Sequence, residues 1–180
     1  MACLFGYCGG PHNDGLLERM AVLLAHRCPL GWERVAAKTV SGATVEIGHG
    51  LAAWNQPTQV AHCQQTALGY GGVLFDDHGS SAQRLATLAQ QPTVETALAA
   101  LTGAFVLALQ QDDGFYLVRD PAGVKVLYWT LSQGRLLFAS EIKALFADPT
   151  VARRLRVGAL PEYLSFSFVP GAGTMFEHIE

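Results

Sequence analysis

The chain has 180 residues, half of them apolar and 15% charged, with 19 glycines and a formal net charge of -3. That profile excludes a disordered or fibrous chain and fits one substantial hydrophobic core, so residues 1–180 read as a single domain. Mild acidity argues against a nucleic-acid partner; Arg153, Arg154 and Arg156 are the one dense cationic group and read as a solvated linker face.

The first stretch, ACLFGY, reads as a strand. In NDGLLERMAVLLAHR the apolar residues Leu16, Leu17, Met20, Leu23 and Leu24 recur at helical spacing, with Asn13 or Asp14 placed to cap the helix. RVAAKTV, TVEIGHGLAAW and TALGYGGVLF read as strands between glycine and proline punctuation. SSAQRLATLAQ and TVETALAAL read as helices that pack on a sheet, the second carrying Val94, Leu98 and Leu101 on one face. Four further strand-like runs follow Leu101, separated by QDDG, DPAG and SQGR. Connections so short predict antiparallel neighbours, because a parallel crossover needs about a dozen residues or more. Strands and helices therefore come in blocks, which gives an α+β class with antiparallel sheet.

No G-x-G-x-x-G or phosphate loop follows any strand, so no nucleotide site is expected. No apolar run approaches the roughly 20 residues that span a bilayer, and the start lacks a secretory signal, which predicts a cytoplasmic protein with no membrane contact. Cys3, Cys8, Cys28 and Cys63 form no C-x-x-C pair, and Cys8 with His12 lacks a second pair of ligands, so neither a metal nor another cofactor is expected. Cys8, Cys28 and Cys63 read as buried or half-buried thiols.

VRDPAGVKVLYW and LLFASEIKAL resemble the N-terminal glutaminase domain of the asparagine synthetase family, where RD-x-x-G-x-K-x-LYY is followed by FASE-x-KAL. Arg119, Asp120, Gly123, Lys125, Leu127 and Tyr128 match the first motif. Phe138, Ala139, Ser140, Glu141, Lys143, Ala144 and Leu145 match the second. The likeness continues through HRCP, GYGGVLF and EYLSFSFVPGAGTMF and covers nearly the whole chain. It implies a class II glutamine amidotransferase of the N-terminal nucleophile hydrolase type, a four-layer α/β/β/α sandwich of two antiparallel sheets. It also implies a chemistry: a cysteine exposed by loss of the initiator Met attacks the glutamine side-chain amide, and the ammonia passes to an ATP-dependent synthetase domain.

Several residues depart from that pattern. A nucleophilic thiol can use its own α-amine as base, but in MACLFGY the removal of Met1 alone leaves Cys3 acylated, and only loss of Met1 and Ala2 restores the arrangement. The family reads G-H-R-R-L-S-I where this chain reads GHGLAA, so the arginine for the glutamine carboxylate is missing between His49 and Leu51. The N-G-E of the family appears as Gly71, Gly72 and Val73: Gly72 retains a backbone N–H for an oxyanion, whereas Gly71 has no side-chain donor. Loss of one such donor costs about a hundred- to a thousandfold in rate. The S-D-x-E that captures the substrate amine is replaced by Ser80, Ser81, Ala82 and Gln83.

The resulting expectation is a degenerate, non-catalytic glutaminase-like domain that serves as scaffold for an asparagine synthetase-like partner, domain or subunit. Residues 151–180 are read as a tail toward a synthetase domain that this sequence lacks. Cys3 is then a buried strand thiol, His49 a histidine satisfied within its strand, and Arg119 with Asp120 an ion pair that fixes a hairpin. Glu141 and Lys143 are read either as partner contacts or as a solvated helix start. The alternative is an active glutaminase with Cys3 as nucleophile, Gly72 as oxyanion donor, and His49, Leu51, Gly71 and Val73 lining the glutamine pocket. Glutamine and a second copy of the chain are kept as further candidate partners.

Overall fold

A single strand shows why this chain folds in layers. In β1 (Leu4–Gly9) Phe5 and Tyr7 pack with Leu16, Leu17 and Met20 of α1 (Leu16–Leu23), while Leu4 packs with Val35, Val45, Ile47 and Val106 on the opposite face. Alternate residues of a strand face opposite sides, so β1 lies between a helical layer and a second sheet. The structure, a computed structural model, describes residues 3–10, 13, 15–51, 61–63, 66–75, 94–111 and 114–180.

The first sheet has the order β2 (Trp32–Lys38), β3 (Thr44–Gly50), β1, β9 (Arg135–Ala139), β8 (Tyr128–Ser132), with every pair antiparallel. The second has the order β4 (Ala61–Cys63), β5 (Thr66–Leu74), β6 (Gly103–Gln111), β7 (Gly114–Arg119), again antiparallel. On its outer face Leu68, Tyr70, Phe105 and Leu107 bury Leu98 of α2 (Val94–Ala99) together with Leu101. Helix α3 (Ile142–Leu145) joins α1 on the far side through Ala144 and Leu145. The architecture is thus helix, sheet, sheet, helix, the α+β sandwich expected. Glycine lets the sheets approach: a Cβ on Gly69 would lie 2.4 Å from Ile47 Cγ2 and 2.8 Å from Leu4 Cδ1.

Three details differ from the sequence reading. Helix α1 is capped by the backbone of Gly15 at φ 75° with no side-chain cap bond, and Asn13 instead accepts from Arg19 Nη2 at 3.1 Å; Asp14 lies outside the described residues. DPAG does not join neighbouring strands. It leads from β7 in one sheet to β8 in the other, because Asp120 accepts from the Val124 and Lys125 backbone at 2.9 and 3.0 Å and holds 120–125 as a compact turn. The same contacts occupy the Asp120 carboxylate in place of the expected ion pair with Arg119. The helix read in SSAQRLATLAQ lies outside the described residues.

Residues 151–180 make contacts with β8 and with one another. Leu155 bridges Phe176, and Trp129 of β8 exchanges backbone hydrogen bonds of 2.7 and 3.0 Å with Glu180. Arg153 lies over the Phe146 ring and Arg156 donates to the Thr174 carbonyl at 2.9 Å, so both are tied to the protein surface. Helix α4 (Leu160–Phe166) buries none of its residues. No helix among the described residues is long and apolar enough to cross a membrane.

Candidate active site

Cys3 stands just before β1, fixed on both flanks. Gly50 N donates to the Cys3 carbonyl at 2.9 Å on the β3 side. On the β9 side, Leu4 N donates to Ser140 Oγ at 2.9 Å, and Ser140 returns its own N–H and hydroxyl to the Leu4 carbonyl at 2.8 and 3.1 Å. The serine of the FASE segment therefore closes the ladder at the residue after Cys3, and its side chain satisfies a buried N–H that would otherwise lack a partner.

The Cys3 side chain is fully buried and belongs to the α1-side cluster. Its Sγ lies 2.9 Å from Cys28 Sγ. Cys28 ends the short turn Ala25–Arg27, with its N–H on the Ala25 carbonyl and its carbonyl accepting from Gly31. Hydrogen bonding to Cys28, and then burial, push the Cys3 thiol far up. The same hydrogen bond brings Cys28 down against burial, helped by the Arg27 charge. The two sulfurs thus share one hydrogen bond inside the core.

Gly50 occupies the position where the resemblance expects an arginine, and its environment is closed. A Cβ there would meet Cys28 Sγ at 2.1 Å and Cys3 Cβ at 2.8 Å. His49, one residue earlier, is opposite Leu4 and therefore on the inter-sheet face, fully buried, with Nε2 3.5 Å from the Glu33 carboxylate. Leu51 continues the strand edge by exchanging backbone bonds with Gly31 and Leu30 at 2.8 and 3.2 Å.

Gly71, Gly72 and Val73 lie on β5 in the other sheet, opposite Val106, Phe105 and Ala104. Gly72 has φ 134°, and a Cβ there would sit 2.1 Å from the Ala104 carbonyl oxygen, so glycine is required for pairing whatever its role in chemistry. The predicted site residues therefore form two groups. Cys3, His49 and Leu51 gather at the β1–β3 end; Gly71, Gly72 and Val73 belong to the facing sheet, while the Cys3 thiol points toward α1. Ser80 to Gln83 lie outside the described residues.

Glu141 and Lys143 adjoin the first group. Glu141 accepts from Arg27, from His26 Nε2 at 2.8 Å and from Lys143 at 3.1 Å. Burial opposes its ionisation, but these three hydrogen bonds outweigh it and hold the carboxyl down at about 2. A cavity of about 460 Å³ opens elsewhere, between β7 and β8, lined by Phe115, Leu117, Arg119, Leu127, Trp129 and Glu180, with no predicted site residue in its wall. Cys28, Gly50 and Ser140 are the neighbours of Cys3 that sequence reasoning did not connect to it. The motif HRCP held the signal for the first, since a cysteine stood inside a matched segment.

Comparison with known proteins supplies the relatives. The family described as glutamine amidotransferase domain matches residues 79–180. Asparagine synthetase [glutamine-hydrolyzing] 1 of Bacillus subtilis (strain 168) is 36% identical over 77 residues, which is 43% of this chain and 12% of that protein. Glutamine phosphoribosylpyrophosphate amidotransferase from B. subtilis, solved with ADP and GMP, superposes with a TM-score of 0.64 over 85% of this chain and 45% of its own, at 16% identity. A structure titled the allosteric regulatory enzyme of purine biosynthesis gives 0.59 over 81% and 43%, also at 16% identity. The chain spans less than half the length of each of these relatives, and the two structural likenesses speak for the fold alone.

Proposed function

Since this chain belongs to the glutamine amidotransferase domain family, we propose that it is a degenerate, non-catalytic member acting as scaffold for an ATP-dependent, asparagine synthetase-like partner. The observation that carries the reading is the burial of the Cys3 thiol against Cys28, on the α1 side of its sheet. A nucleophile must meet its substrate carbonyl at about 3 Å, and a fully buried sulfur, protonated and turned into the core, has no such approach. Steric closure at Gly50 supports the same reading, because the space for an arginine on the glutamine carboxylate is filled by the thiol pair.

The partner's docking face is assigned to α4 and the residues after it. Leu164 is 80% exposed, and Phe166 and Phe168 are each 59% exposed, an apolar grouping that the described residues leave uncovered. Intact mass after incubation with a glutamine-mimicking diazo ketone, with and without a candidate synthetase, tests the catalytic half; no adduct and no glutamate release are expected. One adduct on Cys3 together with glutamate release overturns the reading and makes the chain an active glutaminase. Pull-down by the synthetase, lost in Leu164→Asp while the fold stays intact, tests the scaffold half. Equal capture of the variant removes the assigned face.

A further inference from the structure

We propose that Cys3 and Cys28 form a reversible intramolecular disulfide, making this end of β1 an oxidation site. The two sulfurs are already in contact at 2.9 Å, and a disulfide needs about 2.05 Å, so side-chain adjustment of about 1 Å completes the bond. Both backbones are held: Cys3 by Gly50 and by the Ser140 clamp on Leu4, Cys28 by Ala25 and Gly31. The encounter is therefore intramolecular and preorganised. Gly50 is the feature that permits it, since any side chain at that position would lie on the Cys28 sulfur.

The two cysteines have different parts. Cys28 retains 7% exposure where Cys3 has none, and Arg27 beside it favours the thiolate. A small peroxide is the oxidant that such a site admits. The Cys28 thiolate attacks a peroxide oxygen, the O–O bond breaks, and a sulfenic acid forms as hydroxide leaves and takes up a proton to become water. The Cys3 sulfur then attacks the Cys28 sulfur. The S–S bond forms, the S–O bond breaks, and the hydroxyl departs with the Cys3 proton as a second water. Two thiols and one peroxide become one disulfide and two waters, and a dithiol reductant reverses the change. Cys8 is a poor competitor, because it follows β1's alternation to the inter-sheet face and packs there.

The inference does not rest on the scaffold reading, and its test reads mass rather than turnover. The full chain is reduced, exposed to hydrogen peroxide, alkylated under denaturing conditions with N-ethylmaleimide, and digested without reductant. Trypsin leaves Cys3 in residues 1–19, Cys28 in 28–34 and Cys63 in 39–84, and a second cut after Phe5 or Tyr7 separates Cys3 from Cys8. The expected product joins the Cys3 fragment to 28–34, disappears with dithiothreitol, and accounts for two maleimides fewer on the intact chain. Free alkylated Cys3 and Cys28 after peroxide overturn the proposal, as does a cross-link from either to Cys8 or Cys63. A Cys28 oxidised beyond sulfenic acid with Cys3 still alkylated overturns it equally, since proximity would then not have captured the intermediate.

Discussion

At the scale of single residues, the decisive groups are polar ones placed where water does not reach. Ser140→Ala removes the acceptor for the buried Leu4 N–H, which costs about 1–3 kcal/mol when the donor is left unsatisfied; denaturant unfolding of the purified variant measures it. Arg135 and Asp148 make a larger case. Both are nearly inaccessible, the guanidinium pairs with the carboxylate and lies 5.3 Å from the Tyr7 ring centroid, and Thr150 donates twice to the other carboxylate oxygen. Arg135→Met therefore strands a buried charge and lowers stability by about 3–5 kcal/mol. Arg34→Met, which breaks the exposed pair with Glu18, shifts the same curve by less than about 1 kcal/mol. None of these partners could be paired from the sequence: Ser140 was matched as part of a motif, but the backbone group it serves is 136 residues away.

At the scale of elements, turn chemistry was readable and connection was not. SQGR forms the β8–β9 hairpin as expected, with Ser132 opposite Arg135 and both central residues, Gln133 at φ 50° and Gly134 at φ 71°, left-handed. QDDG likewise joins adjacent strands, since Gln111 is opposite Gly114. DPAG looks equivalent as a string and yet crosses between sheets, because eight residues separate Arg119 from Tyr128 once Asp120 folds the turn onto itself. Two glycines show the difference between a local and a non-local requirement. Gly134→Ala has open space and meets only the left-handed penalty, about 1–2 kcal/mol. Gly72→Ala meets strained backbone of about 1–3 kcal/mol and in addition a collision with the Ala104 carbonyl. It is expected to be the more destabilising of the two in a side-by-side thermal melt, and equal melts would show that β5 and β6 separate at no cost.

At the scale of the whole molecule, the titrating groups set a stability plateau with an acid and an alkaline edge. Glu141, Asp120 and Asp148 all lie below their ordinary carboxyl values, since hydrogen bonds and nearby cations outweigh burial. A depressed carboxyl stabilises the fold above its unfolded value and loses that contribution as pH falls through the folded one, which for Glu141 means between about 4.5 and about 2. Arg27→Met is expected to flatten that acid arm, read as unfolding free energy against pH. Tyr7 works at the other edge: burial, and then the Glu46 charge, raise it from 10.0 to about 12. Its contribution is complete below 10 and lost as pH rises toward 12. Tyr7→Phe removes that alkaline loss, and an unchanged alkaline arm would assign it to other groups.

The sequence by itself determined the α+β class and, through the resemblance carried by VRDPAGVKVLYW and FASE, the family with its layered sandwich. Strand-like runs between turn signals and one amphipathic helix at Leu16–Leu23 are local patterns, and local patterns are what a sequence displays directly. Only the tertiary structure decided what Cys3 touches. Its thiol direction depends on strand alternation counted from Leu4, its partner is 25 residues away at the end of a separate turn, and the gap between them is kept open by a glycine on a third segment. A contact among three segments distant in sequence leaves no periodic trace in any one of them, so the state of this sulfur is a property of the packed fold.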